Sequence, residues 1–508
     1  MTLDARRKDL TLGIVGTGVM GRGIAQIAAQ GGIRTMLYDT RADAAATARS
    51  GIEETLRKLA DKGKLTPEAV RDAVARIEIA HVLTHLSPCH VVVEAIAEDL
   101  EAKRELFRHL EGLVAPGCLL ATNTSSLQVT AIAAGCKHPE RVGGFHFFNP
   151  VPLMKVVEVI EGVTTAPWVG DALVALAERM GHAPVRAKDT PGFIVNHAGR
   201  AYTTEALQML REGVAELASI DAILRDVAGF RMGPFELMDL TGLDVSHPVM
   251  ESIYFQYYEE PRYRPSPITA QRVLARWLGR KSAGRGFYRY DANGERERFP
   301  EPAVPQAEIP PVWVSRRDQG PVVAELVARL GAHIDGGQRP EPGALIVLAP
   351  LGNDCTSAAA REGLDPTRSI AIDALVPPHK RRTLMATPIT LPEYRDAAHA
   401  LFAADGVPVT MIRESAGFVA QRVLAHVVNV GCDIVQQRIC TPEDLDRAVT
   451  LGLGYPFGPL AWGDRLGAQR VIEVLDAIHA FTGDPRYRAS PWLRRRALLG
   501  VSLLTREP

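Results

Sequence analysis

Cysteine is scarce and unpatterned in this 508-residue chain. Its six cysteines, Cys89, Cys118, Cys136, Cys355, Cys432 and Cys440, form no C-x-x-C pair and keep no regular spacing, which argues against a disulfide framework and a structural zinc site. Reduced thiols in a cytoplasm are the expectation, with no metal. Long apolar runs are missing as well. The opening MTLDARRKDLTLGIVG passes from a short charged lead straight into a strand, so neither export nor a membrane partner is expected. Nor is either charge in excess: 58 lysines and arginines stand against 59 acidic residues, leaving no global positive field to hold a nucleic acid.

What is present is the balance of a soluble globular protein, 46% hydrophobic and 23% charged. The length predicts roughly three or four domains. Up to about Ala187, short apolar strands alternate with amphipathic helices, which predicts a parallel sheet covered on both faces. The expected strands run from Thr11 to Val15, Arg34 to Tyr38, Val91 to Glu94, Leu119 to Thr122, Val142 to His146, Lys155 to Ile160 and Pro184 to Ala187. A helical hairpin, from about Ala42 to Val74 with a break at Lys62-Gly63-Lys64, leaves the sheet between the second and third. From Pro191 to about Tyr290 the pattern is helical alone, and the proline-rich FPEPAVPQAEIPPV from Phe299 marks a linker.

An internal repeat follows. Gly192-Phe193-Ile194-Val195-Asn196 recurs as Gly417-Phe418-Val419-Ala420-Gln421, and Gly233-Pro234-Phe235-Glu236 as Gly458-Pro459-Leu460-Ala461, both 225 positions on. Pro261-Arg262-Tyr263 recurs as Pro485-Arg486-Tyr487 at an offset of 224. The stretch between, about Ala303 to Thr410, carries strand-like runs at Ala344 to Leu348 and Ile370 to Ala374 and reads as a worn copy of the first domain's latter part. The expected divisions are 1–190, 191–300, 301–410 and 411–508.

After the first strand comes Gly16-Thr17-Gly18-Val19-Met20-Gly21 and then a helix-compatible run. The first glycine permits the tight turn, the second lets the backbone approach a pyrophosphate, and the third lets helix and strand pack closely. Asp39, eighteen residues beyond Gly21 at the end of the next strand, can accept hydrogen bonds from a ribose and repels a 2′-phosphate, so the expected cofactor is NAD. Its plainer reading is a cap on the following helix.

His146 ends an apolar strand between two phenylalanines, and Glu158 lies mid-strand among valines. Both placements are costly unless the polar groups find partners. Paired, they explain each other: hydride transfer from an alcohol needs a base for the hydroxyl proton, and a carboxylate behind the imidazole would fix its tautomer. The alternative is a satisfied core histidine with Glu158 turned to solvent on an edge strand.

The ordered blocks GTGVMGRGIAQ, VVVEAIAEDLEAK, NTSSL, HFFNPVPLMKVVEVI, DTPGFIVN, MGPFELMDLTGLD and GRKSAGRGFY resemble the L-3-hydroxyacyl-CoA dehydrogenases, the group that includes 3-hydroxybutyryl-CoA dehydrogenase, over about Leu10 to Tyr290. The resemblance implies an α/β fold: a Rossmann-type parallel-sheet domain with a helical hairpin insertion, then an all-helical domain, here followed by a degenerate second copy. It implies NAD-dependent oxidation of an (S)-3-hydroxyacyl-CoA thioester in fatty acid β-oxidation, with His146 and Glu158 as the catalytic pair and Ser125 and Asn196 at the substrate's 3-oxygen and thioester. Implied cofactor contacts are Gly16, Gly18, Gly21, Asp39, Glu98, Lys103, Ser125, Asn149 and Lys281, and implied coenzyme A contacts are Thr55 and Lys62. Arg57, Lys58, Lys62 and Lys64 independently gather cations for an adenosine phosphate, although a solvated face explains any one of them. Two-copy chains of this length resemble dehydrogenases of 3-hydroxyadipyl-CoA, so both that thioester and 3-hydroxybutyryl-CoA stand as substrates.

The second half departs from the pattern. Gln421 replaces Asn196, Glu414-Ser415-Ala416-Gly417-Phe418 replaces the DTPGF block, and the middle segment has no glycine fingerprint. Aligning Arg141 with Arg368 puts Asp373 at the place of His146 and Met385 at that of Glu158, so this copy is expected to be catalytically dead. Helical domains of the family pair in dimers, which leaves two arrangements: a homodimer through those domains, or burial of the first copy's apolar face by the second within one chain. Two other functions stay open, a 3-hydroxyisobutyrate-type β-hydroxyacid dehydrogenase with a lysine base and a catalytically inactive NAD-binding protein.

Overall fold

Near-continuous runs of β-branched and other apolar residues suit strands buried on both faces. In the computed structural model, which describes residues 3–279 and 284–507, such runs build an eight-stranded sheet. Its strands are β1 (Thr11–Val15), β2 (Arg34–Tyr38), β3 (Ile77–Ile79), β4 (Val91–Glu94), β5 (Leu119–Thr122), β6 (Val142–Phe147), β7 (Val156–Glu161) and β8 (Ala183–Lys188), in the spatial order β3-β2-β1-β4-β5-β6-β7-β8. The order reverses between β1 and β4, which opens a crevice at the carboxyl ends of those strands. Helices α1 (Val19–Gln30), α4 (Leu100–Leu113), α5 (Val129–Ala133) and α6 (Pro167–Arg179) connect the strands, and α2 (Ala44–Asp61) and α3 (Pro67–Ala75) form the expected hairpin. Thr66 caps α3 by accepting from the Ala69 amide at 3.1 Å.

Two features correct the sequence reading. Strand β3 is only Ile-Glu-Ile, too short for a period to show. The sheet is also not wholly parallel: β6 and β7 run antiparallel, with His146 directly opposite Glu158, and β8 is parallel to β7. Residues 148–155 join β6 to β7, a connection too short for the crossover that a parallel pair needs.

Contacts group the chain up to His197 with Gln437–Leu453 in one compact unit, and Ala198–Gln436 with the chain from Gly454 in another. The second unit takes most of α7 (Val195–Glu212), followed by α8 (Leu217–Asp226), α9 (Pro234–Thr241), α10 (Leu243–Gln256) and α11 (Pro267–Leu274). A second sheet follows, made of β9 (Val312–Val314), β10 (Leu345–Leu348), β11 (Ser369–Ile372), β12 (Arg382–Ala386) and β13 (Val409–Ile412), with α12 (Gly320–Arg329), α13 (Cys355–Glu362) and α14 (Pro392–Phe402) between them. From β9 to β13 the successive pairings are parallel, parallel, antiparallel and parallel, as they are from β4 to β8. The chain closes with α15 (Ala420–Gln436), α16 (Pro442–Gly452), α17 (Pro459–Leu466), α18 (Ala468–Thr482) and α19 (Pro491–Leu499), and α16 belongs to the first unit.

The expected match of Asp373 and Met385 to the catalytic pair needs correction. In the second sheet Met385 opposes Ala371, and the Asp373 amide donates to Thr383, so the two do not face each other as His146 and Glu158 do. A single offset fails because the second hairpin is two residues shorter between paired positions: Asp373 meets Thr383, ten residues on, whereas His146 meets Glu158, twelve residues on.

Within the second unit, residues about 225 apart meet one another. Phe230 lies edge-on to Tyr455 at 4.9 Å, Arg486 donates to the Pro261 carbonyl, and Arg262 donates to the Arg488 carbonyl. Beside them Glu205, fully buried on α7, accepts from Arg422 and the Tyr487 hydroxyl at 2.7 Å each and from Arg486 at 3.1 Å. Burial pushes the Glu205 carboxyl up, but the two guanidiniums outweigh it and bring it down to about 2. The folded form therefore binds fewer protons than the unfolded chain, so this contribution to stability is complete above about pH 4.5 and is lost as the pH falls toward 2. Removing one partner of such a buried group strands the others, so Glu205→Gln should lower stability by about 3 kcal/mol at pH 7 and flatten the loss of stability on acidification, read by denaturant melts between pH 3 and 7.

Candidate active site

Each glycine of the fingerprint has a different steric reason. Gly16 adopts a positive φ of 92°, and a Cβ on it would lie 2.5 Å from the Ala95 carbonyl oxygen. A Cβ on Gly21 would fall 1.8 Å from the Gly16 oxygen, so helix and turn could not close. Gly18, the cap residue of α1, faces open space within 4 Å. That space belongs to a cleft of about 620 Å³ lined by Gly16, Gly18, Tyr38, Asp39, Arg41 and Ala95. A backbone free of Cβ at a helix N-terminus fits the pyrophosphate of a dinucleotide.

Asp39 ends β2 and rims this cleft. Its carboxylate accepts from the Thr17 amide at 2.8 Å, the Thr17 hydroxyl at 2.9 Å and the Arg41 amide at 3.0 Å. Partial burial would raise its pKa, but these bonds and the Arg41 guanidinium hold it well below the usual carboxylate range, so it presents a negative charge to the cleft.

At the other end of the sheet, His146 and Glu158 meet. The Glu158 carboxylate, with no exposed surface, lies 2.6 Å from His146 Nδ1 through one oxygen and accepts from the Ile194 and Val195 amides at 2.9 and 2.8 Å through the other. A carboxylate facing Nδ1 and accepting two amides favours the tautomer that has its proton on Nδ1 and its lone pair on Nε2. Nε2 points to the Ser125 hydroxyl at 3.1 Å. The side-chain amide of Asn196 donates to the Ser125 carbonyl at 3.4 Å, which brings all four expected residues together. Glu98 fixes the loop that bears Ser125, accepting from the amides of Ser125 and Ser126 at 2.9 and 3.0 Å and from the Thr124 hydroxyl at 2.7 Å. Burial would raise the Glu98 pKa, but the Lys103 ammonium and these donors keep it below the ordinary range.

Residues 11–190 match the family described as "3-hydroxyacyl-CoA dehydrogenase, NAD binding domain", and residues 192–290 and again 417–502 match "3-hydroxyacyl-CoA dehydrogenase, C-terminal domain". An Escherichia coli K12 protein named 3-hydroxyadipyl-CoA dehydrogenase is 36% identical over 96% of this chain and 98% of its own. The chain belongs to the 3-hydroxyacyl-CoA dehydrogenase family. A crystal structure described as 3-hydroxybutyryl-CoA dehydrogenase from Escherichia coli K12 superposes with a TM-score of 0.87 at 36% identity, covering 97% of this chain and 99% of the other. A Bacillus subtilis protein named probable 3-hydroxybutyryl-CoA dehydrogenase is 41% identical but aligns with only 55% of this chain, covering 96% of its own. As an NAD-dependent 3-hydroxyacyl-CoA dehydrogenase the protein is an oxidoreductase, which sets aside the 3-hydroxyisobutyrate-type alternative.

The remaining expected contacts of this dehydrogenase are spread out. Asn149 is exposed just beyond β6, and Thr55 and Lys62 are exposed on or beside α2, the Thr55 hydroxyl donating to the Gly51 carbonyl. Arg57 and Lys58 pair with Glu53 and Glu54 one turn back. Lys281 lies outside the described residues. Lys103 is buried, with its ammonium 2.5 Å from Glu94 and 3.3 Å from Glu98. Sequence reasoning missed Glu94, which also accepts from the Thr122 hydroxyl and the Ile96 amide. The signal was there: Glu94 ends the run Val91-Val92-Val93, the same misplacement that singled out Glu158. The amides of Ile194 and Val195 left no sequence signal at all.

The three glycines separate binding from folding. Gly18→Val should weaken NAD binding at least about 10-fold in a fluorescence titration with the melting temperature nearly unchanged. Gly16→Ala should instead lose about 1–2 kcal/mol of stability from its left-handed backbone alone.

Proposed function

We propose that the protein oxidises the 3-hydroxyl of an (S)-3-hydroxyacyl-CoA thioester to the 3-ketone, with His146 as general base and Glu158 as its orienting partner. The observation that carries this reading is the chain of contacts from the Ser125 hydroxyl through His146 Nε2 and Nδ1 to Glu158 and on to the two backbone amides. A bound NAD would supply the hydride acceptor for carbon 3. Nε2 takes the hydroxyl proton, and the imidazolium that forms is stabilised by a carboxylate that is already desolvated and already bonded. Ser125 and Asn196, joined by their own hydrogen bond, are positioned to hold the 3-oxygen and the thioester. Thr55 and Lys62 are our candidates for coenzyme A, and Gly16, Gly18, Gly21, Asp39, Glu98, Lys103 and Asn149 for NAD.

We further infer that the chain is a duplication, with segments 1–190, 191–300, 301–410 and 411–508, whose second copy is inactive and pairs with the first inside one chain in place of a dimer contact. The repeated helical matches and the meetings of Phe230 with Tyr455, Arg262 with Arg488 and Arg486 with Pro261 support this. The six free cysteines suit a reducing cytoplasm, where we place the enzyme.

His146→Ala should lower kcat by about 100- to 10,000-fold with NAD binding intact, read by NADH absorbance with acetoacetyl-CoA. Glu158→Gln should be comparably impaired, because its amide would donate to Nδ1 and put the ring proton on Nε2. Turnover surviving His146→Ala would remove the proposed base. Ratios of kcat/KM between 3-hydroxybutyryl-CoA and 3-hydroxyadipyl-CoA assign the acyl group, a preference of about 10-fold corresponding to 1.4 kcal/mol in the transition state.

A further inference from the structure

Segment Gln437–Leu453 comes from the inactive copy, yet it sits in the compact unit that carries the catalytic pair. Its helix α16 buries Pro442, Leu445, Ala448 and Val449 and packs on β7 and β8, the strand of Glu158 and its neighbour. Two points tie it to the turn that holds Glu158. At one end the Ile439 carbonyl accepts from the Lys188 amide at 2.8 Å, where β8 leaves the sheet toward that turn. At the other, Gly452 is so close to Val195 that a Cβ on it would lie 3.0 and 3.1 Å from the two Val195 γ-carbons and 3.4 Å from Cγ1 of Val156.

Val195 is the residue whose amide donates to Glu158 at 2.8 Å, so pressure on its side chain is pressure on a donor of the catalytic carboxylate. The repeat offset of 225 carries Gly452 to Val227 and Val195 to Ala420. Large and small have changed places between the copies, and the side with no side chain on the helix is the one that faces the catalytic turn.

We propose that α16 of the second copy is a working part of the first copy's active site, and that Gly452 is a positioning residue that sets the Val195 amide against Glu158. This rests on the reading of His146 and Glu158 given above. The second copy is then required for turnover as well as for packing.

The test uses the full-length protein. Gly452→Val should lower kcat about 10- to 100-fold while NAD binding stays within about 2-fold, as expected of a sub-ångström displacement behind the base. Adding Val195→Ala, which recreates the size pair of the other copy, should recover most of the lost kcat. An unaltered kcat in Gly452→Val, or a loss that Val195→Ala does not repair, would overturn the proposal. Should Gly452→Val fail to fold, Gly452→Ala asks its neighbours to move only slightly, and about a 3-fold lower kcat with intact NAD binding supports the proposal where an unchanged kcat defeats it. Activity surviving His146→Ala would fail the site reading instead, whatever the Gly452 variants do.

Discussion

A carboxylate that loses all contact with water must be given its hydrogen-bond donors by the protein, and Glu158 is such a group. Three donors reach it, and each imposes a structural condition. The imidazole comes from the opposite strand, which requires β6 and β7 to run antiparallel in a sheet otherwise built of parallel pairs. The two amides come from the turn before α7, where Gly192 and Phe193 both adopt positive φ so that the chain can curl back over β7. The amides also open a helix, so its dipole adds to their bonds. The strand reversal, the strained turn and the placement of α7 thus converge on one buried charge.

The turn does not depend on the charge it holds. Gly417 and Phe418 repeat the same left-handed pair at φ 84° and 51°, although no carboxylate stands at the corresponding place in the second sheet. There the Ser415 amide meets the sulfur of Met385, and the side chain of Gln421 bridges the Pro350 carbonyl, the Gly352 amide and Asp373. Burial pushes the Asp373 carboxyl up to about 6, and among the described residues the side chain that donates to it is that glutamine. The turn therefore belongs to the way a strand enters a helix in this fold, and what differs is the side chain presented to it, Glu158 from β7 in the first sheet.

Much of this was legible because misplaced polar residues carry information. A histidine ending an apolar strand and a glutamate among valines each violate the hydrophobic pattern, and pairing them removes both violations. The glycine fingerprint was equally readable, since each position fails for its own steric reason when a Cβ is added. Backbone donors were not legible, because every residue but proline has an amide and nothing in Ile194-Val195 marks which ones turn inward. The register of the second hairpin was lost for a related reason: a hairpin shorter by two residues shifts cross-strand partners without marking the strand sequences. The regrouping of α16 was hidden because chain order says nothing about which sheet a helix covers when two similar sheets are present.

A duplicated domain that pairs with its copy begins symmetric, and each asymmetric substitution makes the halves less interchangeable. Glu205 has Val430 as its counterpart, and Arg422 has His197. A second copy paired with another second copy would therefore place Arg422 and Arg486 against valine, which leaves Arg486 only Asp484 of its own copy and Arg422 without Glu205. Paired with the first copy, the same arginines meet Glu205 and Tyr487. The charge exchange at Glu205 and the size exchange at Gly452 act in the same direction. One makes the pairing of unlike copies the stable one, and the other leaves room on α16 for the turn that donates to Glu158, so in the reading proposed above loss of activity in one half and dependence of the other half upon it arise from the same divergence.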